Sequence, residues 1–260
     1  MKIGISTASL FLKQETEQAL ITVKELGTDC VEIFLATFYE FRPEFAKNYK
    51  DRCDGLDVCS VHPYGTAFEP QLFNRSRRTS GDAFYWLDQI MRSAQLFGAE
   101  KYSFHGIIRK GGEPDIGYLG ERLSKAVSFC AEYGVNLCLE NVCWSTYNSP
   151  YIFKQLKKYC PQLLGVLDLK QARRSGYPYA MYIEDMKGSI SHVHLSDVTE
   201  KGKMCLPGRG VTDFNEIFLR LKDSGFDGEA LIEVYPEDFS DFSELKTSLE
   251  FLKEINYKIG

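Results

Sequence analysis

The segment CAEYGVNLCLEN, residues 130–141, carries the reading of the fold. Its first half ends a 3.6-period pattern, Gly134 is suited to the left-handed conformation just past a helix end, and VNLCLE follows as a short apolar strand. The same helix–glycine–strand unit recurs as VKELGTDCVEIFL around Gly27, SAQLFGAEKYSFHG around Gly98 and LKDSGFDGEALIEVY around Gly225. Working outward from these four units, strands are expected at 2–6, 30–35, 57–62, 101–105, 135–140, 163–168, 190–195 and 229–235. Helices are expected near 15–26, 43–52, 80–97, 117–133, 149–159, 179–187, 213–224 and 243–255. Eight alternations of strand and helix imply parallel strands joined by right-handed crossovers. An open doubly wound sheet uses the same elements but normally carries a glycine-rich turn after its first strand, and ISTASLFL (5–12) has no glycine. The expected fold is therefore α/β, a single (β/α)8 barrel over residues 1–260, close to the ~250 residues typical of that architecture.

Bulk properties narrow the function. The chain carries a net charge of −5 and a pI near 5.5, which counts against a protein built to grip phosphate backbones. The opening MKIGISTASLFLKQETEQAL nearly lacks a charged leader region and breaks its apolar run at Lys13, so no secretory signal is expected. No run of ~18 apolar residues is present to span a membrane. The eight cysteines form no CxxC pair and mostly fall in apolar patterns, as expected of small buried residues in a reducing compartment; the cytoplasm is the natural location. The longest loop, residues 63–81, follows the third strand on the catalytic face of a barrel. It is a candidate lid, with Tyr64, Phe68 and Phe73 as exposed aromatics for a lid or a subunit contact.

In such a barrel, ionisable residues at the C-terminal ends of strands converge where chemistry occurs. Six strands place one there: His62, His105, Glu140, Asp168, His194 and Glu233. Strand alternation puts His192 on the same face as His194, one layer deeper, as a supporting or packing residue. Apart from these ends the inward faces read as apolar or small, a filled floor beneath a polar mouth. Converging buried carboxylates need a counter-charge, and a divalent cation supplies it. Glu140, Asp168, Glu233 and His194 suit Mn²⁺, Mg²⁺ or Co²⁺, whereas adding His62 and His105 shifts the preference toward Zn²⁺ or Fe²⁺. Such an ion can chelate a hydroxy-carbonyl and acidify the intervening C–H. Two glutamates on different strands can then remove and return the proton, the chemistry of an aldose–ketose isomerase or epimerase working through a metal-bound enediolate.

In their order and spacing, LCLENV, VLDLKQARRSG, ISHVHLSD, LPGRGVTDF and ALIEVY resemble the xylose-isomerase-like barrels, which include sugar and sugar-phosphate isomerases and epimerases and the endonuclease IV branch. The resemblance implies Glu140, Asp168, His194 and Glu233 as metal ligands, with Glu140 and Glu233 also the acid–base pair of the epimerases. It also implies that Asp213 caps a helix. Many members carry His where this chain has Gln171, which can bind a sugar hydroxyl but is a poor zinc ligand. The Asp-x-His pair of endonuclease IV is missing after strand seven, although His62 and His105 match positions that hold a further zinc in that branch. His62 and His105 are thus read as ligands of a second ion or as substrate contacts. Arg109, Lys110, Arg173, Arg174, Lys201, Lys203 and Arg209 fall in βα loops where one or two can hold a phosphate, and Arg209 between two glycines is the preferred one. The expected function is a divalent-metal-dependent sugar or sugar-phosphate isomerase or epimerase, with a keto-polyol dehydratase or an endonuclease IV-like phosphodiesterase as alternatives.

Overall fold

The computed structural model describes residues 1–109 and 111–260. Among these, eight parallel strands close a barrel: β1 (Lys2–Ser6), β2 (Cys30–Leu35), β3 (Asp57–Pro63), β4 (Lys101–Phe104), β5 (Asn136–Glu140), β6 (Leu164–Asp168), β7 (Ile190–Leu195) and β8 (Glu229–Ile232), with β8 paired to β1. The outer ring is α1 (Thr16–Glu25), α2 (Pro43–Tyr49), α3 (Arg77–Phe97), α4 (Ile116–Ala131), α5 (Ile152–Leu156), α6 (Leu169–Arg174), α7 (Tyr179–Asp185), α8 (Phe214–Asp223) and α9 (Phe242–Ile259). Gly27, Gly98, Gly134 and Gly225 each adopt positive φ, between 73° and 85°, where the helix–glycine–strand units require a left-handed residue. Asp213 caps α8 as expected, its carboxylate accepting the Glu216 N–H.

Most of the hydrophobic core lies between the strands and the helices, with Ile3, Val31, Val61, Tyr102 and Leu167 facing Leu20, Leu87, Met91, Phe153 and Leu221. The bore of the barrel differs from the expected apolar floor. One small apolar cluster there, Cys30, Cys59 and Leu231, lies close beneath Gly4, whose Cα could not carry a Cβ without meeting Cys30 and Leu231. Above it comes a fully buried polar layer of Ser6, Glu32, Ser60, Ser103 and His192. A register shift between β2 and β3 sets Glu32 opposite Ser60 rather than Cys59. A second, between β6 and β7, sets His192 opposite Val166. Such irregularities re-aim side chains at the rims of functional sites.

The 63–81 loop also departs from expectation. Two 3-10 turns, Gly65–Ala67 and Glu69–Phe73, fold it down so that Phe68, Leu72 and Phe73 join the core, leaving Tyr64 as its exposed aromatic. Glu69 is completely buried and accepts hydrogen bonds from the Tyr102 hydroxyl (2.5 Å) and the backbone N–H groups of His105 (2.9 Å) and Gly106 (3.2 Å). This pins the loop to the end of β4.

Candidate active site

The six expected residues meet at the C-terminal mouth. Glu140 and Asp168 close β5 and β6, His62 and His194 lie near the ends of β3 and β7, and His105 and Glu233 immediately follow β4 and β8. The imidazole of His194 faces three carboxylates through Nδ1, at 3.0 Å from Glu233 Oε2 and 3.8 Å from both Glu140 Oε1 and Asp168 Oδ2. Beside them, His62 Nε2 and His105 Nε2 approach to 2.9 Å, with Glu140 Oε2 at 3.7 Å and 3.3 Å respectively.

Whether these groups suit a cation can be tested on their hydrogen bonding. Glu140 Oε2, Asp168 Oδ2, His194 Nδ1 and Glu233 Oε2 are all buried without a hydrogen-bond partner. A native interior rarely tolerates even one such atom, and here each residue of the expected ligand set contributes at least one, His194 both ring nitrogens. Ligand atoms of Glu140, Asp168 and His194 lie within 4.8 Å of one another, and Glu233 forms such a set with His194, His62 and Glu32. They fit a divalent ion of the Mn²⁺, Co²⁺, Mg²⁺ or Zn²⁺ type. His62, His105 and Glu140 form an adjoining set of ligand-type atoms.

Two participants were not foreseen. Glu32 is fully buried at the hub of the polar layer. Its Oε1 meets His62 Nδ1 (3.1 Å), His194 Nε2 (3.1 Å) and the Ser6 hydroxyl (2.9 Å). Its Oε2 accepts from Ser60 (2.7 Å) and Ser103 (2.5 Å) and lies 3.3 Å from His192 Nε2. A carboxylate on the far nitrogen of a ligating His fixes the ring's orientation and raises its basicity. Glu32 Oε1 stands against His194 Nε2, the nitrogen turned away from the three carboxylates, and His192 is fully buried beside the same carboxylate. The available signal was an acid inside CVEIFL, a run that is otherwise apolar and entirely buried.

The second is Lys170, 2% exposed, whose Nζ donates to Glu233 Oε1 (3.1 Å) and lies 3.6 Å from Asp168 Oδ2. Its ammonium also sits 4.5 Å over the Tyr235 ring. Lys170 comes from α6, a six-residue helix capped by Asp168 itself, whose Oδ1 accepts from Gln171 N–H at 2.7 Å. Asn141 clamps the same turn, accepting from Asp168 N–H and donating to Asp168 C=O.

The electrostatics follow from this crowding. Burial pushes the Glu32, Glu140 and Glu233 carboxyls up, but the surrounding imidazoles, joined by Lys170 at Glu233, outweigh it and hold all three below the usual range. Asp168 goes the other way, raised because burial exceeds the help from Lys170 and His194. Burial opposes protonation of His62 and His105, yet their carboxylate neighbours carry them up to about 10 and about 9. Among the remaining expected residues, Gln171 is buried and its Oε1 accepts from Cys143 N–H (3.2 Å), which fixes it beside the cluster. Arg209 is paired with Glu244 of α9 at 2.9 Å. Lys110 lies outside the described residues.

The fold and site together define a parallel barrel with a buried cluster of three carboxylates and one histidine at its mouth. Residues 20–255 match the xylose isomerase-like TIM barrel family, and the chain belongs to it. An uncharacterized protein of Methanocaldococcus jannaschii is 25% identical, the alignment covering 100% of this chain and 92% of that protein. The D-psicose 3-epimerase of Clostridium cellulolyticum H10 superposes with a TM-score of 0.79 at 17% identity, covering 98% of this chain and 99% of that one. The probable 3-DHS dehydratase of Bacillus anthracis gives a TM-score of 0.75 at 14% identity, covering 97% and 99%. Among the described residues no helix is long and apolar enough to cross a membrane.

Proposed function

We propose that this protein is a divalent-metal-dependent isomerase or epimerase of a sugar or sugar phosphate. The observation that carries the proposal is the set of buried atoms that make no hydrogen bond, contributed by Glu140, Asp168, His194 and Glu233. These residues would hold the ion, with Glu32 orienting His194 from behind. When bound, a divalent ion polarises a hydroxy-ketone and lowers the pKa of the C–H between its oxygens. Glu140 and Glu233 reach the mouth from β5 and from the residue after β8, so they face the reacting carbon from different sides. One carboxylate takes the proton, the electron pair moves onto the carbonyl to give an enediolate, and the other returns a proton. Return to the opposite face inverts the centre; return to the neighbouring carbon isomerises the sugar. Gln171, held at Cys143, is placed to hydrogen-bond a substrate hydroxyl.

The test is a panel of ketoses and ketose phosphates incubated in D₂O with Mn²⁺, Co²⁺, Mg²⁺ or Zn²⁺ and followed by proton NMR. Exchange of a single carbon-bound proton that Glu140→Gln and Glu233→Gln each lower by more than about a hundredfold is expected. Silence across the panel would sink the proposal. A dehydratase is the second reading, prompted by the similarity to the probable 3-DHS dehydratase. It requires the same proton abstraction followed by loss of a β-hydroxyl, and a conjugated product absorbing in the ultraviolet separates the two.

A further inference from the structure

We propose that the loops after β6, β7 and β8 form a phosphate subsite, so that the substrate is a phosphate monoester of a ketose. This rests on the isomerase or epimerase reading above and names its substrate class. A cavity of about 480 Å³ is bounded by Arg173 and Arg174 from α6, Lys203 from the ribbon that pairs Asp197–Val198 with Met204–Cys205, and Tyr235, Glu237 and Asp238 from the segment after Glu233. The three cations come from two successive βα loops, and among the described residues none has a carboxylate within 4 Å. In a chain of net charge −5 they leave a positive corner at the mouth of an otherwise acidic site.

Tyr235 joins this corner to the reacting cluster. Its ring packs under Lys170 Nζ (4.5 Å) on one side of the contact chain and under the Arg174 guanidinium (4.8 Å) on the other. Arg174 also donates to the Tyr235 hydroxyl at 2.5 Å, and Lys170 in turn donates to Glu233. The basic corner is thus two residues along the chain from Glu233, with Tyr235 as the wall shared between it and Lys170. Of the two acids lining the cavity, Asp238 is engaged by Tyr235 N–H at 3.1 Å and Glu237 is exposed at the rim. Donors approaching from two loops, the Arg173–Arg174 pair and Lys203, match a tetrahedral dianion with several peripheral oxygens; a planar carboxylate pairs best with a single guanidinium fork.

The experiment has two arms on the full-length protein with Mg²⁺. In the first, inorganic phosphate is titrated and followed by ³¹P NMR against wild type, Arg173→Met, Lys203→Met, the double variant and Arg209→Met, with thermal melts confirming folding. Saturable binding is expected, weakened about tenfold by each single change at 173 or 203 and about a hundredfold by the double. Equal binding by wild type and the double variant overturns the proposal, as does a loss confined to Arg209→Met. In the second arm, D₂O exchange is compared between pentuloses and hexuloses and their terminal phosphates. A phosphate preference of about a hundredfold in kcat/KM, carried by KM and erased in the double variant, supports the subsite. Equal rates on free and phosphorylated ketoses overturn it while leaving the isomerase reading intact. Phosphate binding that depends on Arg173 and Lys203, with no exchange on any sugar, supports the subsite and refutes the isomerase reading.

Discussion

Replacing Lys170 by Met keeps the length of a buried side chain and removes its charge from between two carboxylates. At an effective dielectric of about 20, separations of 3.1 Å to Glu233 and 3.6 Å to Asp168 correspond to gross attractions of about 5 kcal/mol each. Desolvation cancels much of this, and the net cost of stripping one partner from a buried ionic group is about 3–5 kcal/mol, because the remaining charges are stranded. For a domain of this size that is a fall in Tm of about 6–20 °C in the metal-free protein. A divalent ion provides the same counter-charge from the other side of the carboxylates. With saturating Mn²⁺ the deficit is therefore expected to shrink to less than half. By linkage the stability regained must appear as tighter binding, about tenfold or more in Kd. Circular-dichroism melts with chelator and with Mn²⁺, together with calorimetric titration, measure both sides of the cycle. An equal loss of Tm with and without the ion, or weaker ion binding by the variant, would refute the idea that Lys170 and the ion compete for one pair of carboxylates.

Ion binding should also depend on pH. His62 and His105, held up to about 10 and about 9, carry protons at neutral pH that an incoming ion displaces, so affinity rises with pH until about 9 and beyond. Affinity that is flat between pH 6 and 9 in calorimetry would contradict this. In the metal-free protein the same two groups have folded pKa values above their unfolded ones. Their stabilising contribution is complete below about 6.5 and is lost as pH climbs through 9 to 10. Glu32→Gln is expected to cost about 3–5 kcal/mol and to weaken ion binding about 10- to 100-fold through misorientation of His194, read by denaturant melts and calorimetry; unchanged affinity would remove Glu32 from that role. Glu69→Ala should release the 63–81 loop, seen as proteolytic cleavage within it at a rate at least tenfold above wild type, because three hydrogen bonds to one buried carboxylate are lost together.

The barrel was legible because each of its recurring units ends a helix at a glycine that must take positive φ, and Gly27, Gly98, Gly134 and Gly225 all do. Glu140, Asp168 and His194 could be placed at the mouth because each ends an apolar strand, where side-chain parity and a parallel barrel leave one destination. The same logic hid Glu32, which lies in mid-strand, and hid Ser60 and Ser103, which read as small filler in an apolar bore. What makes them a polar layer is that Glu32 binds them all at once, a relation between five strands that no single strand displays. Lys170 escaped notice because α6 spans too few residues to show a helical period, and a lone Lys in a loop reads as solvated. Phe68 and Phe73 read as exposed from the length of their loop; Glu69, buried between them, is what folds them inward.

Glu32 has a further consequence for how this molecule is made. Its carboxylate gathers groups from β1, β3, β4 and β7, so the first strands of the chain and one of the last must meet before the cluster exists. A half-barrel fragment would bring together some of the clustered side chains without Glu32 at their hub. On the proposed reading, ion capture by this site would be a late event in folding, and an ion held tightly would certify that the chain's two ends have found each other and the ring has closed.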